Sequence, residues 1–296
     1  MSVVAALTRT TAVALALAGA MGVSGAAAGS LEPRSFASPA LGADIPTVVY
    51  RPDRADGPLG VLYLLHGYGG GERDWSNAGV VETADAVFAE PDAVPLLIVM
   101  PGVGNSWYVD SARYGNWSRA VGEDLVTAVD AAYPTDARRA RRFAAGLSMG
   151  GYGALHLATH HPGRFRGAAA LSPAIFEDVR TADAFPDFQI EFFAGAFGSP
   201  LDPAAFNARN VFAPLASLGA QAGTAPTDFY LMTGDHDSFG LWYGTLQFFK
   251  AARRTGHAAE LRVRDGDHEW RLWRAELAPV LRWVGAVIRA DRSAAQ

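Results

Sequence analysis

Three short stretches of this chain carry residue types suited to nucleophilic acyl chemistry. The first is Gly146-Leu147-Ser148-Met149-Gly150, a match to G-x-S-x-G. A serine hydroxyl is a poor nucleophile at neutral pH, so it needs a base within hydrogen-bond reach, and that base needs an orienting acid. The second stretch, Gly234-Asp235-His236-Asp237-Ser238, offers two carboxylates, and spacing alone does not choose between Asp235 and Asp237. The third, Asp265-Gly266-Asp267-His268-Glu269-Trp270, offers an imidazole at His268. Serine, then acid, then histidine is the chain order such a turn uses when it recruits partners from later strands. An oxyanion would need two backbone N–H donors. Met149, just after the serine, supplies one. Tyr68, in the run His66-Gly67-Tyr68-Gly69-Gly70-Gly71, is expected to supply the other.

The remaining histidines are poorer bases by position. His156, His160 and His161 lie on or at the end of the helix after Ser148, and His156 and His160 read as a surface pair. His257 sits at a helix–strand turn and is expected to be exposed. His236 lies in the acid's own loop. His66 ends a strand and is expected to line the pocket, but it precedes the nucleophile. No H-x-x-x-H or H-E-x-x-H pair has a third ligand in apt spacing, so no metal is expected.

The elements that must position these groups follow from hydrophobic patterning. Phe143–Leu147 is an apolar run bounded by glycine, followed by an Ala/Leu-rich run, which reads as strand, turn and helix. Gly60–Leu65, Pro95–Met100, Arg166–Leu171, Asp228–Thr233 and Glu260–Val263 read as further strands, with two early ones at Ser35–Ser38 and Ile45–Tyr50. Helices are predicted over Thr83–Glu90, Glu123–Tyr133, Leu241–Thr255 and Glu269–Arg289. Strands alternating with helices predict an α/β fold with a mostly parallel central sheet and helices on both faces. Residues 101–117 read as a Gly/aromatic loop. The irregular stretch 173–226 reads as a lid-like insertion within one domain spanning residues 29–296.

Composition narrows the rest. The chain has 296 residues, a formal charge of −5 and no cysteine, which removes disulfides, thiolate metal sites and a cysteine nucleophile. No Lys/Arg block interleaves with aromatics, so nucleic acid is not an expected partner. Residues 1–28 carry one charged side chain, Arg9, then an Ala/Val/Leu-rich run ending in Ala26-Ala27-Ala28 before Gly29. This reads as a secretory signal peptide and implies a secreted, periplasmic or cell-envelope protein with no membrane span once the signal is removed.

Several motifs together resemble a known family. Leu64-Leu65-His66-Gly67-Tyr68-Gly69-Gly70, Met100-Pro101 through Asn105-Ser106-Trp107-Tyr108 to Asp110, Glu123-Asp124-Leu125 and Gly146-Leu147-Ser148-Met149-Gly150-Gly151 are similar to the esterase D-type esterases. That group includes S-formylglutathione hydrolases, feruloyl and acetyl-xylan esterases and the antigen 85 mycolyltransferases. The resemblance implies an α/β-hydrolase fold and ester hydrolysis by a serine triad without cofactor. It implies Ser148 as nucleophile, His268 as base and, from the match of Gly234 to Phe239, Asp237 as the acid. It also implies a substrate-side role for Trp107 and Tyr108, and a small-molecule or glycan-linked ester as substrate. An acyltransferase of the mycolyltransferase type and a non-catalytic hydrolase-fold binding protein are the alternatives.

Overall fold

The computed structural model describes residues 28–177, 179, 191–193, 195–219 and 226–293. The signal-peptide reading therefore lies outside the described residues except for Ala28, as does part of the 173–226 insertion. Among the described residues there are ten strands: β1 (Ser30–Ser38), β2 (Ala43–Arg51), β3 (Gly60–Leu65), β4 (Leu96–Pro101), β5 (Asp110–Ser111), β6 (Gly115–Asn116), β7 (Arg142–Leu147), β8 (Gly167–Leu171), β9 (Asp228–Gly234) and β10 (Ala259–Arg264). Eight of them form one sheet in the order β1-β2-β4-β3-β7-β8-β9-β10. The pairs from β4 through β10 are parallel, while β1 and β2 add an antiparallel edge.

The unbroken apolar runs have a simple cause. β3, β4, β7 and β8 are buried at every residue. Their side chains alternate between two separate apolar clusters, one on each face of the sheet. Tyr63 and Leu65 belong to one, Leu62 and Leu64 to the other. Helices Met149–His160 and Trp242–Arg254 pack on the first face, and Val80–Phe88 and Trp270–Ser293 on the second. A strand covered on both sides has no polar face to show.

The order also sets where a site can form. From β3 the chain steps to β4 on one side, then returns to β7 on the other. The strand order reverses there, which opens a crevice at the carboxyl ends of β3 and β7. The glycine-rich turn after β3 and the Ser148 turn after β7 flank that crevice.

Two elements depart from the sequence-based expectation. The loop 101–117 contains the small β5–β6 ribbon, paired Asp110 to Asn116. The helix expected from Glu123 begins earlier, at Trp117, and passes through a π-turn over Ala120–Leu125 before continuing as Val126–Ala132. No helix of the described residues is long and apolar enough to cross a membrane.

Candidate active site

The Ser148 turn is built by steric need. Ser148 has φ 53° and ψ −117°, a conformation most side chains avoid. A Cβ at Gly146 would lie 2.4 Å from the Gly150 carbonyl oxygen, and one at Gly150 would lie 2.5 Å from the His66 carbonyl oxygen. Both positions therefore demand glycine, and the tight packing lifts the serine clear of the sheet. The turn is tied down by its own backbone. Ser148 N–H donates to Leu171 O at 2.9 Å, and Ser148 O accepts from Tyr152 and Ala174.

His268 stands between serine and acid. Its Nε2 is 2.9 Å from Ser148 Oγ, and its Nδ1 is 2.9 Å from Asp237 Oδ2. A carboxylate only accepts, so Nδ1 carries the proton and Nε2 accepts from the serine hydroxyl. The Asp237 side chain is fully buried, and its second oxygen accepts from Phe239 N–H at 3.0 Å. Phe239 and Trp273 contact the imidazole edge-on, at 4.9 and 4.8 Å between centroids, and restrict its rotation. Asp267 holds the loop from below by accepting the N–H groups of Ser238 and His268, which keeps its carboxyl below the usual carboxylate range.

The same crevice holds free donors and a cavity. Met149 is the first residue of its helix, so its N–H has no intrahelical acceptor. Neither it nor Tyr68 N–H has a hydrogen-bond partner among the described residues. A cavity of about 210 Å³ opens onto Ser148 and His268. Its walls are mainly aromatic, with Trp107, Phe192, Phe239 and Trp270 among them.

Comparison with known proteins bears on this arrangement. Residues 38–284 match the Esterase family model ("Putative esterase"). The chain belongs to this esterase family. The acetyl esterase of Caldicellulosiruptor saccharolyticus is 27% identical over 257 residues, covering 83% of this chain and 91% of that one. The S-formylglutathione hydrolase of Mus musculus is 33% identical over 144 residues, 42% of this chain and 50% of that one. A solved ferulic acid esterase superposes with a TM-score of 0.72 at 23% identity, covering 88% of this chain and 99% of the other, which shows the fold. The protein is a carboxylic ester hydrolase with an α/β-hydrolase fold.

The structure of the esterase separates the two candidate acids and departs from several other expectations. Asp235, the other candidate acid, faces away from His268. It accepts Gly266 N–H, which lowers its carboxyl, and pairs with exposed His236 at the surface. Trp107 lines the cavity, but Tyr108 does not. Tyr108 is fully buried in the core, donates its hydroxyl to His66 O at 3.0 Å and fills the space above Gly153. Two adjacent residues at φ 59° and 57° thus diverge, one to the pocket and one to the core beneath it.

His66 is likewise buried and not part of the cavity wall. Its Nδ1 donates to Gly67 O and its Nε2 accepts Val103 N–H, so burial lowers its basicity and it braces the glycine-rich turn. His257, expected at the surface, is buried with Nε2 donating to Leu215 O. His156 and His160 do not form a surface pair. His156 is buried, and its ring stacks on His160 at 4.0 Å. Each of the three buried imidazoles also has a partner distant in sequence: Val103 N–H for His66, Leu215 O for His257 and Ser118 Oγ for His156. One cavity residue, Asp74, was not singled out by its sequence; it is the second of two acids, after Glu72, that follow the glycine run.

Proposed function

We propose that this esterase is an exported serine carboxylic-ester hydrolase working through an acyl-serine. Ser148 Oγ attacks the acyl carbonyl as His268 Nε2 takes its proton. The N–H groups of Tyr68 and Met149 hold the oxyanion, and the helix N-terminus beneath favours the negative charge. Collapse breaks the bond to the alcohol, which leaves with the proton from His268. Water, deprotonated by His268, then attacks the acyl-serine and releases the carboxylic acid, and the proton returns to Ser148. Asp237 keeps the Nδ1–H tautomer and stabilises the imidazolium.

The observation that carries this reading is the unbroken pair of 2.9 Å contacts from Ser148 through His268 to Asp237 beside the cavity. Ala174, Phe176, Phe192 and Phe193 come from the 173–226 stretch and line that cavity, which supports a lid-like insertion within a single 29–296 domain. Trp107, its indole N–H held by Phe192 O at 2.7 Å, shapes the substrate side. A small-molecule or glycan-linked ester suits the cavity, and the acetyl esterase relative supports a short acyl group. Residues 1–28 direct export, and N-terminal sequencing of protein recovered outside the cytoplasm should begin at Gly29.

The deciding experiment is hydrolysis of p-nitrophenyl esters from acetate to long chain by wild type and Ser148→Ala. The expected loss in the variant is about 10³-fold or more. No activity above the variant's on any ester would sink the reading and leave a binding protein. Acyl transfer to an added alcohol or sugar in preference to water would make it an acyltransferase.

A further inference from the structure

Asp74 is the one acidic residue among the described residues lining the cavity that holds Ser148, and no Lys or Arg among them balances it. It opens a short helical turn, Asp74–Asn77, three residues after Gly71 ends the glycine run. The turn is anchored by its neighbour Trp75, which is buried and donates its indole N–H to Leu65 O at 3.0 Å. Asp74 N–H bonds Gly71 O, and its Oδ2 lies so close to Gly70 that a Cβ there would come within 2.0 Å. The carboxylate is thus held against the loop carrying the Tyr68 N–H. Its side-chain oxygens have neither a hydrogen bond nor an ion pair among the described residues.

An acceptor-only group set among aromatic walls is left short of donors once substrate displaces water. The ring faces add negative potential of their own. Such a cavity favours a substrate that brings a donor or a positive charge, and it opposes a carboxylate. We infer that Asp74 is a specificity-determining residue. It accepts a hydrogen bond from a hydroxyl, or pairs with a cationic group, carried next to the scissile ester, and it rejects esters bearing a neighbouring carboxylate. This rests on the Ser148 reaction proposed above.

The test compares kcat/KM for four acetate esters of similar size: glycerol 1-acetate, acetylcholine, propyl acetate as the uncharged reference, and 3-acetoxypropionate. Wild type should prefer glycerol 1-acetate or acetylcholine over propyl acetate and disfavour 3-acetoxypropionate. In Asp74→Asn, the ratio of the preferred ester to propyl acetate should fall about tenfold, and that of 3-acetoxypropionate should rise about tenfold. Ratios unchanged within about twofold, or a uniform fall on all four esters, would overturn the inference. A wild type with no charge preference would overturn it without any variant. Absence of any Ser148-dependent hydrolysis would refute the reaction, and the role of Asp74 with it. Hydrolysis of propyl acetate through Ser148 with no dependence of the ratios on Asp74 would refute the role alone.

Discussion

The helix Met149–His160 has a serine–imidazole contact at each end. At its N-terminus Ser148 Oγ lies 2.9 Å from His268 Nε2. At its C-terminal end Ser118 Oγ lies 3.0 Å from His156 Nε2 and 2.9 Å from His161 Nε2. The pairs of atoms are the same, yet their surroundings are opposite. Ser148 sits on a strained turn with a cavity in front of it, while Ser118 is buried inside a helical turn. His268 has Asp237 against its second nitrogen. Glu123, 3.7 Å from His161 Nδ1, is beyond hydrogen-bond reach. The helix presents N–H groups to Ser148 and carbonyls to the other end. A serine–imidazole contact is therefore common structural material. Reactivity needs the third group, the free donors and the space for a substrate.

Substitution should separate the two ends sharply. Under the proposed reaction Ser148→Ala removes about 10³-fold or more of kcat, whereas Ser118→Ala leaves kcat/KM within about threefold, both read with p-nitrophenyl acetate. A large catalytic loss at Ser118 would break the comparison. Asp237→Asn should cost on the order of 10³–10⁴-fold in kcat, because the amide no longer enforces the Nδ1–H tautomer. Asp235→Asn, two residues earlier and pointing elsewhere, should change kcat less than about threefold, and equal effects at both would return the acid to an open choice.

The C-terminal end should instead appear in stability. The Ser118 hydroxyl has one proton, so it donates to one imidazole and accepts from the other. Ser118→Ala leaves the buried His156 nitrogen and the part-buried His161 nitrogen without this partner and should lower unfolding free energy by about 1–3 kcal/mol in urea titrations. Burial and like charge hold the nearby imidazoles neutral, His156 well below its ordinary value and His160 down to about 4. The unfolded chain then binds more protons than the folded one between pH 6.5 and about 4. The stability from neutral His160 is fully present above that window and is lost as pH falls through it. Wild type should lose about 1–3 kcal/mol more than His160→Gln between pH 7 and 4. Identical pH slopes for the two proteins would refute the coupling.

Local rules made much of the fold legible. Runs such as Leu96–Pro101 and Arg142–Leu147 are apolar because both faces are covered, and that cause acts residue by residue along the strand. The glycines at 146 and 150 announce a turn because their clashes are with near neighbours in the chain and the adjacent strand. The π-turn at Ala120–Leu125 was not legible. Gly122 lies where a Cβ would strike the His161 ring, 39 residues away, and no pattern in the local sequence carries that contact.

By itself, then, the sequence determined the element order, the strand–turn–helix around Ser148 and the order in which acidic and imidazole loops follow it, since these depend on periodicity and on glycine geometry. Spacing left Asp235 and Asp237 open and only the family resemblance favoured Asp237; the tertiary structure brings Asp237 to His268, and it alone decided which of Trp107 and Tyr108 reaches the cavity and which histidines are buried. Those outcomes depend on partners brought together by sheet packing, such as Gly266 N–H for Asp235 and the His66 carbonyl for Tyr108. A side chain's direction is set by the nearest group that can satisfy it, and that group is usually far away in sequence.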